Sequence, residues 1–292
     1  MTLSLKGVGI MPGVETVAIL SGQARSLWGK SDYGVGERWL PLYIHMADSA
    51  GVAARLWDSW VSRSTREIVA RALDGDEALA RSLFVFLAAV HDIGKATPAF
   101  QVKGLSFRQD GEGGLLWKPE RAGLVIRHDL SGRLCPTHPI AGEVLLTQFL
   151  KEHGFMGDGQ GRQAKKQVKR QASAIACIVG AHHGRFPSTT RLVKADDDDI
   201  ALGQKGEGSA DWIRVQDELI SYSLHLAELP ENDVHRFMNH RLTIATESIL
   251  TGLVIMTDWI ASDQDIFPLV PLFEEDEVSR LSLEARCSKA WD

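Results

Sequence analysis

His91 and Asp92 stand side by side in the string LAAVHDIGKATPAF, directly after three apolar residues, Ala88, Ala89 and Val90. An aspartate at the end of such a run is costly to bury without compensation, and a metal ion is the strongest compensation available. Asp258 poses the same problem inside LTGLVIMTDWIASD. An unpaired carboxylate there would be protonated or expelled, whereas a bound cation would hold it ionised. Three further places carry imidazoles in arranged settings: His45 among small and apolar residues, His138 before Pro139, and His182-His183 at the end of SAIACIVGAHHG, closed by Gly184. Adjacent helical residues diverge by about 100°. At a helix end both histidines still reach one site, or two neighbouring ions. Imidazole and carboxylate without thiolate suit iron, manganese, cobalt, nickel or zinc better than magnesium. Five histidines and two aspartates are too many for one ion and about right for two that share a bridging carboxylate. The expectation is two divalent transition-metal ions, with Fe, Mn, Co or Ni favoured. His128, His153, His225, His235 and His240 fall outside this pattern.

These side chains need helices to hold them. Apolar spacing predicts helices over 42–60, 76–93, 138–151, 164–182, 211–228 and 236–262. Asp76 is placed to cap the second of these and Gly94 to stop it. The helix around Asp258 is apolar on nearly all faces and is expected in the core. Residues 103–135 read as a loop with room for one short β-hairpin, 154–163 as a flexible linker, and 194–209 as a surface loop. No internal repeat is visible. The reading is one all-α domain over 1–292, with its core at about 25–265.

Composition narrows the function classes. The three cysteines, Cys135, Cys177 and Cys287, are odd in number and far apart. That excludes a disulfide framework and a thiolate zinc site, and fits a reducing compartment. A net charge of −6 argues against DNA binding by the whole surface. The N-terminal stretch MTLSLKGVGI lacks signal-peptide features, and LFVFLAAV at 83–90 is far short of a bilayer span, so a cytoplasmic protein without a membrane partner is expected. GRQAKKQVKR at 161–170 could touch a nucleic-acid backbone, but reads equally as a solvated helix start. WGKS at 28–31 is no phosphate loop: the motif needs glycine where Ala24 stands, after a strand. Asp196–Asp199 lack the glycine and terminal glutamate of a calcium loop.

The order His45, His91-Asp92, Asp258 resembles the H…HD…D signature of the HD superfamily, and His138 with His182-His183 resembles its dinuclear members. The strings HDIGKATPAFQ, AHHGRFP and SLWGKS resemble one subfamily, the HD nuclease domain of the CRISPR-associated nuclease–helicase of type I interference. The resemblance implies an HD-domain helical bundle with long loops. It implies that His45, His91, Asp92 and Asp258 hold one ion, and that Asp92, His138, His182 and His183 hold the other. Lys95 would reach a substrate phosphate; apart from the resemblance, Arg185 and Phe186 stand just after the histidine pair in sequence, where they would contact an entering strand. The implied chemistry is phosphodiester hydrolysis of single-stranded DNA by a metal-activated water. The implied partners are a CRISPR surveillance complex and a helicase domain or subunit. The C-terminal stretch EVSRLSLEARCSKAWD reads as a helix leading onward to such a helicase. Two other readings use the same residues: an HD phosphohydrolase acting on nucleotides or cyclic dinucleotides, and a non-catalytic docking module stabilised by metal.

Overall fold

The computed structural model describes residues 20–32, 38–107, 114–154, 161–272 and 283–289. Short helix α1 (Gly22–Ser26) leads into strand β1 (Trp28–Ser31), which pairs antiparallel with β2 (Arg38–Pro41). Then come α2 (Leu42–Arg55), α3 (Arg63–Arg71), α4 (Glu77–Val90), α5 (Pro98–Gln101) and α6 (Trp117–Arg121). The second half holds α7 (His138–His153), α8 (Arg162–Gly180), α9 (Thr189–Asp196), α10 (Asp199–Leu202), α11 (Ser209–Leu226), α12 (Val234–Met238) and α13 (Ile244–Ser262). Strand β3 (Val270–Pro271) adds to β2, and α14 (Leu283–Lys289) follows.

Helix α4 is the spine. Asp76 caps it, accepting from the Leu79 amide at 2.9 Å, and every residue from Leu83 to Val90 is buried. Each large apolar side chain buried this way contributes about 1.5–3 kcal/mol, so the end of the helix that carries His91 is held firmly. Helix α2 is rich in small residues, and Leu42 through Ala54 are all buried. That lets it pack closely on α4, while α13 lies against α2, α4 and α8, and α7 against α8. The polar residues singled out above sit on these five helices or at their ends.

The structure departs from the sequence-based expectations in several places. An antiparallel strand pair lies at β1–β2, and among the described residues of 103–135 there is no strand. The described part of 103–135 holds 3-10 turns and α6, while 108–113 lie outside the described residues. Residues 194–209 are not a plain loop: α9 runs to Asp196 and α10 follows, with Asp198 capping it and pairing with Arg133 at 2.9 Å. Capping chemistry, rather than apolar periodicity, makes these short helices. The 236–262 helix is broken at 239–243, and α13 starts where Thr243 accepts from the Thr246 amide. Of the 154–163 linker, 155–160 lie outside the described residues, and so does the N-terminal stretch.

Nor is α13 buried all round. Leu250, Val254 and Thr257 face the core, whereas Ile244 and Trp259 are exposed. At 19 residues and mean hydropathy 1.3 it is long and apolar enough to cross a bilayer by length and composition. Here it packs along other helices and carries Glu247 and Asp258.

Candidate metal centre

His91 caps the C-terminal end of α4, and Asp92 opens a 3-10 turn, Ile93–Lys95, at φ −98° and ψ 13°. This sparsely allowed backbone region is common at active sites. Gly94 was expected to stop the helix, but the helix ends at Val90 and the glycine has another task. A Cβ there would stand 1.9 Å from the His138 carbonyl oxygen and 2.6 Å from the Gly142 amide nitrogen. Only glycine lets the turn lie against the first turn of α7, and that contact brings Asp92 to His138.

The seven predicted ligands come from α2, the end of α4, α7, the turn after α8, and α13, and they converge. The two oxygens of Asp92 face different groups. Oδ2 lies 3.1 Å from His45 Nε2 and 3.4 Å from His91 Nε2; Oδ1 lies 3.4 Å from His138 Nε2 and 3.7 Å from His182 Nε2. Asp258 Oδ1 closes the first side, 3.3 Å from His91 Nε2 and 3.7 Å from His45 Nε2. Three sets of donor atoms each gather within 4.8 Å: His45, His91 and Asp92; His138, His182 and His183; and His91, His182 and Asp258. The third set straddles the other two, so His91 and His182 lie where two centres would meet.

The donor orientation fits a cation. His91 Nδ1 donates to the Ala88 carbonyl at 2.7 Å, and His182 Nδ1 to the Val179 carbonyl at 2.6 Å. A backbone carbonyl on Nδ1 fixes the ring and turns Nε2 inward, as metal-binding histidines require. The Nε2 atoms of His45, His91 and His182 are buried and have no hydrogen-bond partner among the described residues. The carboxylates beside them are close contacts, not aligned hydrogen bonds. Three orphaned imidazole nitrogens around split carboxylates are expensive unless something accepts their lone pairs.

Electrostatics agree. Burial, reinforced by neighbouring cations, lowers His138 to about 2 and His182 to about 4, so both rings are neutral donors at physiological pH. Burial opposes ionisation of Asp92, but Lys95 and His91 outweigh it and hold the carboxyl well below its ordinary range. Asp258 behaves alike: burial pushes it up, while His45 and His91 pull it far down. Burial likewise opposes a charge on His91, yet Asp92 and Asp258 raise it to about 10. A cation would displace that proton, because metal binding and proton release are linked.

Lys95 is buried, with Nζ 2.6 Å from Asp92 Oδ2 and donating to the Gly29 carbonyl at 2.9 Å. The shared strings now have a physical reason. Gln101, at the end of HDIGKATPAFQ, accepts from the Trp28 amide at 3.2 Å and donates to the Trp28 and Lys95 carbonyls, both at 2.9 Å. One side-chain amide thereby docks β1 against the HD turn. The lysine of WGKS, no part of a phosphate loop, has another place. In the fold Lys30 faces the centre; burial, with Lys95 adding, lowers it to about 8, while Asp92, Asp258 and Asp48 work against that. No local pattern marks it, since its partners lie more than 230 residues away.

Arg185 and Phe186 follow the histidine pair on an exposed turn, Phe186 at 58 % exposure. The basic stretch 161–170 forms the exposed first half of α8. It flanks a groove of about 910 Å³ lined by Lys166, Arg170, Arg241 and Leu242, among others. The remaining histidines have ordinary surroundings: His128 pairs with Glu120, His153 with Glu231 and His240 with Asp74, His235 donates to the Asn232 carbonyl, and His225 is exposed.

Residues 28–267 match the family model described as Cas3, HD domain. Over 272 residues, 87 % of this chain, the sequence is 33 % identical to a CRISPR-associated nuclease/helicase Cas3 of Streptococcus thermophilus, of which it covers 26 %. It is 27 % identical over 247 residues to a CRISPR-associated endonuclease/helicase Cas3 of Thermus thermophilus, covering 23 %. The chain thus spans about a quarter of the length of these curated relatives. A solved CRISPR-associated protein superposes with TM-score 0.68 at 25 % identity, over 92 % of this chain and 26 % of that one. The Thermus thermophilus cas3 HD domain, solved in the presence of Ni2+, superposes with TM-score 0.55 at 22 % identity, over 93 % of this chain and 89 % of its own, and shares the fold.

Proposed function

The chain belongs to the Cas3 HD-domain family, and from that membership we propose that it is a metal-dependent nuclease domain that hydrolyses phosphodiester bonds of single-stranded DNA in CRISPR interference. One observation carries the proposal: buried, orphaned imidazole nitrogens gather around Asp92, whose two oxygens face two different sets of donors. His45, His91, Asp92 and Asp258 would hold one divalent transition-metal ion, and Asp92, His138, His182 and His183 a second. Fe, Mn, Co or Ni suit this donor set. When bound, such a pair supplies an acidified water and neutralises charge on the phosphate.

The chain's own residues do the rest. The backbone carbonyls of Ala88 and Val179 hold two imidazoles in register. Lys95, buried against Asp92, balances its charge, and its ammonium would stabilise a nonbridging phosphate oxygen of a strand bound at the centre. Arg185 would take a backbone phosphate, and Phe186, exposed beside the histidine pair, would stack on a base without sequence preference. The seven ligands are spread over most of the length of the chain, which supports treating 1–292 as a single nuclease domain. Two relatives are named nuclease/helicase or endonuclease/helicase, and one similar solved structure is a CRISPR RNA-guided surveillance complex, pre-nicking. They support a helicase domain or subunit and a surveillance complex as partners. Three free thiols fit a reducing cytoplasm.

The test is Asp92→Asn, assayed for bound metal and for cleavage of single-stranded DNA with Mn2+, beside a panel of nucleotides and cyclic dinucleotides. Loss of both metal and DNA cleavage is expected. Full cleavage by the variant, or wild-type turnover confined to small nucleotides, overturns the proposal.

A further inference from the structure

Ser262 differs from five other helix hydroxyls among the described residues. Ser49, Thr147, Ser223, Thr251 and Thr257 each donate to the backbone carbonyl four residues earlier, at 2.7 to 2.9 Å. That is the ordinary resting place of a helical hydroxyl. Ser262 instead donates to the side chain four residues earlier, reaching Asp258 Oδ1 at 2.7 Å. The reason lies on β1. A bulge between Trp28 and Lys30 re-aims the strand, and Lys30 Nζ donates to Ser262 Oγ at 2.5 Å and to the Ala261 carbonyl at 3.3 Å. An ammonium can only donate, and a hydroxyl has one proton. With Lys30 on its lone pair, Ser262 must spend its proton elsewhere, and Asp258 receives it.

We infer that Lys30 and Ser262 form a relay that orients Asp258 for the cation. The inference rests on the metal-centre reading above, and makes both side chains positioning residues. The Asp258 oxygen that accepts from Ser262 is the one that faces His45 and His91. Restraining it restrains the side of the centre that α13 supplies. Outer partners of this kind govern metal affinity, and their removal weakens it about 10- to 100-fold. Lys30 also touches the C-terminal end of α13, where a cation offsets the helix dipole. A lysine that served only as a cap would affect stability and leave metal affinity alone.

The experiment measures Mn2+ affinity of the full chain by competition with a fluorescent chelator, and Tm of the metal-free protein, for Lys30→Met, Ser262→Ala, their combination, and Lys30→Arg. Each single variant is expected to bind Mn2+ about 10- to 100-fold more weakly. The double variant should be no weaker than the worse single, because the two act in series, and Lys30→Arg should recover part of the loss. Unchanged affinity in Ser262→Ala, or losses that multiply in the double variant, overturns the relay. Ser262→Ala, which removes one oxygen, carries the test if Lys30→Met fails to fold. Asp92→Asn runs alongside. If it abolishes Mn2+ binding while the relay variants bind normally, only the relay is refuted; if it too binds normally, the metal centre falls.

Discussion

Replacing Arg286 with methionine should destabilise the protein by about 3–5 kcal/mol, the usual cost of leaving one partner of a buried ion pair alone. The pair joins distant parts of the chain. Arg286 on α14 donates through Nε and Nη2 to the two oxygens of Asp48 on α2, at 2.9 and 2.8 Å. Asp48 is fully buried, and the arginine side chain is only 7 % exposed. Nη1 also donates to the Pro268 carbonyl at 3.2 Å, and the guanidinium lies 5.7 Å from the centre of the Phe267 ring. Without the arginine, Asp48 would be a carboxylate in apolar surroundings, one helical turn from His45. At about 2.1 cal/mol/K per residue, unfolding a chain of this length carries an entropy near 0.6 kcal/mol/K, so Tm should fall by about 5–8 °C. Thermal unfolding followed by circular dichroism at pH 7.5 reads this directly. Added salt should change the effect little, because a buried pair is poorly screened. The combination Asp48→Leu with Arg286→Met should recover most of the loss, since apolar replacement of a buried pair is often neutral or better. A Tm for Arg286→Met within about 1 °C of the parent would refute the reasoning.

Two other perturbations test the packing around the centre. Gly94→Ala sets a Cβ 1.9 Å from the His138 carbonyl oxygen, so the turn and α7 must part; stability should fall by about 1–3 kcal/mol, with loss of Mn2+ binding in the same preparation. Glu143, buried on α7 with Oε2 unpartnered among the described residues, is raised by burial to about 7. A raised carboxyl favours folding in its protonated form, so its contribution is complete below its ordinary value near 4.5 and is lost as pH climbs through 7. Glu143→Gln should therefore stabilise the protein at pH 8.5, by roughly 1–3 kcal/mol, and not at pH 4. An equal Tm difference at the two pH values would rule this out.

Much of the centre was legible in the sequence because its ligand types conflict with their surroundings. Asp92 and Asp258 sit in apolar runs, and His182-His183 ends one; such residues need a partner, and imidazole with carboxylate names a cation. The main helices were legible for a related reason, since burying one face writes a period near 3.6 into the sequence. The short helices α9 and α10 were not, because caps rather than apolar spacing make them.

What the sequence by itself determined was the set of seven imidazole and carboxylate side chains that converge, their order, and the helices that carry them. Tertiary structure alone decided how the two oxygens of Asp92 divide between donor sets, why residue 94 must be glycine, and which lysine reaches Ser262. Each of these depends on atoms brought together from far along the chain: Lys30 meets Ser262 across 232 residues and Asp48 meets Arg286 across 238. Hydrogen bonds act over about 3 Å and leave no periodic trace, so only the folded backbone can pick out the pairs that form them.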